Sequence, residues 1–159
     1  MKNLHLRLAL CFVITLILSI LPMPQLLADF RPPWVLLLVL YIEYFLPGNF
    51  KLTTLVLIGL LLDVLLATVI GEHSFALLLT TWIASSKSRR FQFFSMMQQI
   101  FLVGFFCFIY QLTITLSTAF LGFNYNLIMP LTSAAVGMFL WPWIRLLGED
   151  MLLIRLVYR

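Results

Sequence analysis

A bundle of six transmembrane α-helices is the fold class the sequence predicts, and three observations predict it. Hydrophobic residues make up 63% of the 159 residues and charged residues only 10%, against ~45–50% and ~25% in soluble domains. The apolar residues come in runs separated by Pro, Gly and Asn. The basic residues fall between those runs in an order that places nearly all of them on one side of a membrane. A soluble fold of this length has too little interior for so much Leu, Ile, Val and Phe, and lipid is the medium that accepts the excess.

The runs are expected at about 8–21, 34–46, 52–70, 75–85, 100–121 and 127–147, forming one transmembrane domain over residues 1–159. The first stops at Pro22-Met23-Pro24, the second at Pro47-Gly48-Asn49, the third at Gly71 and the fifth at Gly122. A spanning helix needs about 20 mostly apolar residues, so the second and fourth runs are short, and five spans compete with six. The first run has a basic start, but Pro-Met-Pro-Gln after it is a poor cleavage site for a signal peptide; it is expected to stay as a span.

Charge decides between the two counts. Lys and Arg accumulate in cytoplasmic loops. With six spans and a cytoplasmic N-terminus, Lys2, Arg7, Lys51, Lys87, Arg89, Arg90, Arg145, Arg155 and Arg159 lie inside and only Arg31 lies outside. Removing either short run puts opposite sets on the same side. Both termini are therefore expected in the cytoplasm. The formal net charge of +4 is explained by orientation, and no nucleic-acid partner is expected.

Six spans of about 20 residues occupy about 120 residues. What remains is short loops and two tails, with no room for a soluble catalytic domain. Cys11 and Cys107 sit in apolar runs and are expected as free, buried thiols. His5 and His73 have no ligand spacing with each other, and the neighbouring Ser74 does not face His73 on a helix. No catalytic residue, metal or cofactor is expected. The stretch after Trp143 is amphipathic and either continues the last helix or lies along the inner interface.

Four residues stand out as candidate binding positions. Asp63, near the middle of the third run, is the most costly residue to place in lipid, at ~2.5–3.5 kcal/mol for an ionised carboxyl. Gly59, Asp63, Ala67 and Gly71 recur every fourth residue and share a helical face. That face reads as a packing surface with one buried carboxyl, or as a binding or proton-relay site. Gln111 belongs to a second stripe, with Gly104, Cys107, Thr115, Thr118 and Gly122, that suits close helix packing. Gln111 is the natural partner of Asp63 if the third and fifth spans touch. Arg31 and Trp34 belong to the outer loop Asp29-Phe30-Arg31-Pro32-Pro33-Trp34, a stiff, mixed-charge element suited to contact with a partner. Arg31 equally suits pairing with Asp29 or a lipid headgroup. Glu43 is placed to reach the headgroup region, and Trp141-Pro142-Trp143 reads as an interfacial anchor with a bend that ends the sixth span.

The chain resembles the rod shape-determining MreD family. Phe30-Arg31-Pro32-Pro33-Trp34-Val35-Leu36-Leu37 with Tyr41 and Pro47 is similar to its first signature. Gly59-Leu60-Leu61-Leu62-Asp63, then Ile70-Gly71 and Phe75-Ala76-Leu77, is similar to its second, and Leu140-Trp141-Pro142-Trp143 to its third. The family often carries an acidic or polar residue at Pro33, an apolar or aromatic one at Glu43 and a small one, usually Gly, at Ala67. The resemblance implies a non-catalytic subunit of the bacterial inner membrane within the rod complex, or elongasome. It also implies partnership with MreC, and with MreB, RodA and a class B penicillin-binding protein, in support of lateral peptidoglycan synthesis. The fold further resembles the six-helix substrate-binding subunits of vitamin (ECF-type) transporters, so the rival expectation is a membrane-embedded solute-binding subunit.

Overall fold

The computed structural model describes residues 2–21, 32–46, 52–86, 91, 93–122 and 126–148. Among the described residues six helices follow one another: α1 (Lys2–Ile20), α2 (Trp34–Phe45), α3 (Leu52–Leu66), α4 (Glu72–Ser85), α5 (Met96–Phe120) and α6 (Met129–Gly148). No strand occurs among the described residues. Arg31, Lys51, the Lys87–Arg90 cluster and the stretch from Glu149 onward lie outside them.

α2 is the centre of the bundle. Its sequence WVLLLVLYIEYF is apolar nearly all round, and a helix of that kind is buried on every side. Nine of its 12 residues are buried, and it packs against α1, α4, α5 and α6. α3 sits outside this group and leans on α4, while α5 and α6 form the most extensive pair.

Helix lengths are uneven. At 1.5 Å per residue, α5 reaches about 38 Å and α6 about 30 Å, but α2 only about 18 Å and α4 about 21 Å. Met96–Phe120 and Met129–Gly148 are long and apolar enough to cross a membrane, and α1, α2 and α3 contain shorter apolar helices. The outward faces along the helices are largely apolar. Leu57, Leu61 and Val64 of α3, Phe101 and Phe105 of α5, and Leu131 and Phe139 of α6 are all exposed. Such a surface fits a membrane protein, since a soluble monomer rarely exposes apolar patches of this extent.

Three local features differ from the pattern read along the sequence. α3 ends at Leu66 and not near Ile70. Ala67 takes a left-handed conformation (φ 51°), the Thr68 N–H donates to the Asp63 carbonyl at 3.0 Å, and the Ala67 N–H points back to the Val64 carbonyl at 3.4 Å. These are the two hydrogen bonds of a Schellman stop, at a position usually occupied by Gly. α4 begins earlier than 75, at Glu72, with Gly71 (φ 97°) ahead of it. α6 runs through Pro142 to Gly148, so Trp141-Pro142-Trp143 does not end it. Trp141 is buried and Trp143 exposed, as a helix through both requires.

Close approaches fix the packing. A methyl at Gly59 would overlap the backbone of Ser74, so Gly59 lets α4 lie directly on α3. The Ser74 hydroxyl then donates to the Val56 carbonyl at 3.2 Å. Gly104 and Cys107 of the second stripe meet Met138 and Gly137 of α6, and both cysteines are free. At the opposite end from Asp63, buried Phe91 stacks on Tyr44 at 3.7 Å and meets Trp141 edge-on at 5.8 Å. Gln99 donates to the carbonyls of Phe91 and Phe94 at 3.3 and 3.1 Å, and its own oxygen accepts from Arg145 at 3.0 Å. These bonds bind the segment before α5 to α2 and α6. A capping box of Ser95 and Gln98 starts α5 there.

Candidate functional site

The helix α4 begins without a side-chain cap of its own. Its first N–H groups need acceptors, because no earlier turn of helix supplies them. Asp63, in the last turn of α3, supplies two. Oδ2 accepts the Gly71 N–H at 2.7 Å and Oδ1 accepts the His73 N–H at 2.9 Å. His73 is the second helical residue of α4, so Oδ1 takes the position that a capping Ser or Asp at residue 71 would take. A negative carboxyl there also complements the positive end of the helix dipole.

The same oxygen lies 2.9 Å from Nδ1 of His73. The Thr68 hydroxyl reaches both partners, at 3.4 Å from Oδ1 and 3.3 Å from Nδ1. Asp63 is almost fully buried, at 1% exposure. The ring of Tyr110 stands edge-on to His73 with centroids 6.2 Å apart. The Schellman stop at Ala67 makes the node possible. It reverses the chain after Leu66 and brings residues 71–73 back over the carboxyl three residues before the helix end. Glu72 is buried beside it, and its Oε1 has no hydrogen-bond partner among the described residues.

Next to the node, at the same end of the bundle, lies a cavity of about 400 Å³. Ser19 of α1, Trp34 of α2, Thr68 and His73 of the α3–α4 turn, Gln111 of α5 and Ser133 of α6 contribute its polar wall. Pro33, Val35, Leu62, Leu66, Ile114 and Met129 contribute the apolar wall. Among the described residues, no Lys or Arg lines it.

The structure thus brings Trp34 and Gln111 to one cavity and places Asp63 directly behind its His73 wall. The hydrogen bonds of Asp63 go to Gly71, His73 and Thr68, and not to Gln111. Arg31 lies outside the described residues. His73, Thr68 and Glu72 carry no signal in the sequence when α3 is extended to Ile70. The spacing Asp63–Thr68–Gly71–His73 gains meaning only once the helix stops at Leu66. Asp63, likewise, is a last-turn residue of α3 and not a mid-helix one. No group of three or more His, Cys, Asp or Glu suited to a metal occurs among the described residues.

The site performs no bond-making chemistry that its geometry reveals. The Ser74 hydroxyl is engaged with a carbonyl on α3. Asp63 holds His73 by its ring and its backbone together, which fixes the residue in place.

Comparison with known proteins bears on identity. The family model for the rod shape-determining protein MreD matches residues 2–150. The chain is 30% identical over 141 residues to the rod shape-determining protein MreD of Haemophilus influenzae, covering 86% of this chain and 84% of that one. No solved structure matches. With the family model spanning nearly the whole chain and that relative alike over most of its length, the chain belongs to the MreD family of rod shape-determining proteins.

Proposed function

We propose that this chain is a non-catalytic, six-span subunit of the bacterial inner membrane, with both termini in the cytoplasm. In this reading it binds MreC and, beside MreB, RodA and a class B penicillin-binding protein, supports lateral peptidoglycan synthesis and rod shape.

One observation carries the reading beyond family membership. Most of the hydroxyls along α4 and α5, with Asp63 and Gln99, are spent on the bundle's own backbone. Asp63 caps α4. Gln99 holds the segment before α5. The hydroxyls of Thr80, Thr81, Thr113, Thr115, Ser117 and Thr118 donate to carbonyls one turn earlier. What the chain offers to other molecules is apolar helix surface and the end of the bundle around Trp34 and the α3–α4 turn. That suits a subunit that docks against other membrane helices. The six-span count rests on the charge distribution, which assigns nine of ten basic residues to one side.

Depletion of the protein in a rod-shaped host tests the cellular role. Cells are expected to become round and to recover on expression from a plasmid. Unchanged rods after full depletion would contradict it.

A further inference from the structure

We propose that the cavity beside the Asp63–His73 node is a binding site for an uncharged ligand that presents a secondary amide attached to an apolar body. This goes beyond the family function and does not depend on it.

Three residues in the cavity wall have side-chain hydrogen-bonding groups that the described residues leave unused. The indole Nε1 of Trp34 and the hydroxyl of Ser133 are buried without a partner. Ser133 is 2% exposed. Half-buried Gln111 uses its backbone carbonyl as the acceptor for Thr115, and its side-chain amide has no hydrogen-bond partner among the described residues. Buried polar groups are nearly always paired, and leaving them unpaired is costly. Two such buried groups, from α2 and α6, on one cavity, with the half-buried Gln111 amide of α5 beside them, are better explained by a missing occupant than by chance.

The chemistry of the wall selects the class. The indole can only donate, so the occupant must carry an acceptor. The Gln111 amide and the Ser133 hydroxyl can each accept, so the occupant is matched by a donor as well. A secondary amide supplies both in one planar group. Among the described residues no Lys or Arg lines the cavity, so they supply no counter-ion for a phosphate or carboxylate. Asp63 is occupied by α4 and by His73, so it offers no free acceptor for a cation. Leu62, Leu66, Ile114 and Met129 supply apolar contact for the rest of the molecule. A volume of about 400 Å³ lies within the usual range for a small-molecule site.

The test uses the full-length protein in nanodiscs, labelled with ¹⁵N-tryptophan. The indole resonance of Trp34 is assigned by its loss in Trp34→Phe, and that of exposed Trp143 serves as the control for partition into lipid. The probe is N-benzylacetamide, compared with N-benzyl-N-methylacetamide, which lacks the N–H, and with benzyltrimethylammonium. The expected result is a saturable shift of the Trp34 resonance with a Kd of roughly 0.1–10 mM. The tertiary amide should bind at least about fivefold more weakly. No saturable response to the cation is expected. Gln111→Leu should raise the Kd for the secondary amide about fivefold and remove the difference between the two amides. A Trp34 shift that grows linearly, in parallel with Trp143, would overturn the proposal. So would equal affinity for the two amides on the unmodified protein, a comparison that needs no variant to fold.

Discussion

Asp63 and His73, ten residues apart on successive helices, are joined twice: the carboxyl accepts the backbone N–H of His73 at 2.9 Å and lies 2.9 Å from its ring Nδ1. One side chain of α3 therefore starts α4 and fixes the side chain that follows. This joint holds the α3–α4 hairpin together at the end of the bundle where the cavity lies.

Its removal has a graded outcome. Asp63→Asn keeps one carbonyl oxygen to accept from α4 and should lose about 1–2 kcal/mol of stability, with partial shape-supporting activity. Asp63→Lys places a second positive group at the positive end of the helix and leaves the N–H groups of Gly71 and His73 unpaired, so it should abolish function. Thermal unfolding in detergent and complementation of depleted cells check both. Full activity of the Lys variant would show that the carboxyl is not the cap.

Ala67 holds a left-handed conformation that costs an L-residue roughly 1–2 kcal/mol. Glycine adopts it freely but loses more chain entropy on folding. The net expectation for Ala67→Gly is a gain of about 0.5–1 kcal/mol, read as a higher unfolding temperature. A lower temperature would mean that α3 does not stop as described.

Two glycines in contact faces should respond differently to the same change. At Gly59 the new methyl meets backbone of Ser74, which cannot move without shifting α4. At Gly104 it meets the flexible side chain of Met138. Gly59→Ala is expected to cost about 1–3 kcal/mol and to disturb the Asp63 node, with Gly104→Ala costing clearly less. Unfolding of the two purified variants side by side gives the ranking, and the reverse order would contradict the packing.

The proposed six-span arrangement makes a sharp topological forecast. Alkaline phosphatase fused after Gly71 should be active, because the proposed orientation puts that turn in the periplasm, and the same reporter fused after Ser86 should be inactive. Equal activity at the two sites would remove α4 as a span. The test matters because α4 is only 14 residues long, about 21 Å of helix, well short of a bilayer core of about 30 Å.

The helices were legible in the sequence because each is an apolar run between turn residues, and the long runs of α5 and α6 gave the clearest signal. The end of α3 was not legible. Val69 and Ile70 extend the apolar pattern past Leu66, and periodicity does not register a left-handed stop at Ala67. That error concealed the site, since a helix continuing to Ile70 carries His73 away from Asp63. The role of Trp141 was hidden for a related reason. Its neighbours Pro142 and Trp143 suggest an interface, whereas burial against Phe91 depends on a segment distant in sequence. Asp63 itself was legible as a cost, because a carboxyl in an apolar run needs partners, but burial alone does not name them.

The most direct measurement for the account is affinity purification of the tagged, full-length protein from detergent-solubilised membranes of its own cells, with quantitative detection of MreC. A partner-binding subunit of the rod complex should bring MreC down in near-stoichiometric amount, and Asp63→Lys should reduce it at equal membrane abundance. Recovery of the intact protein with MreC at the level of an untagged control would contradict the account.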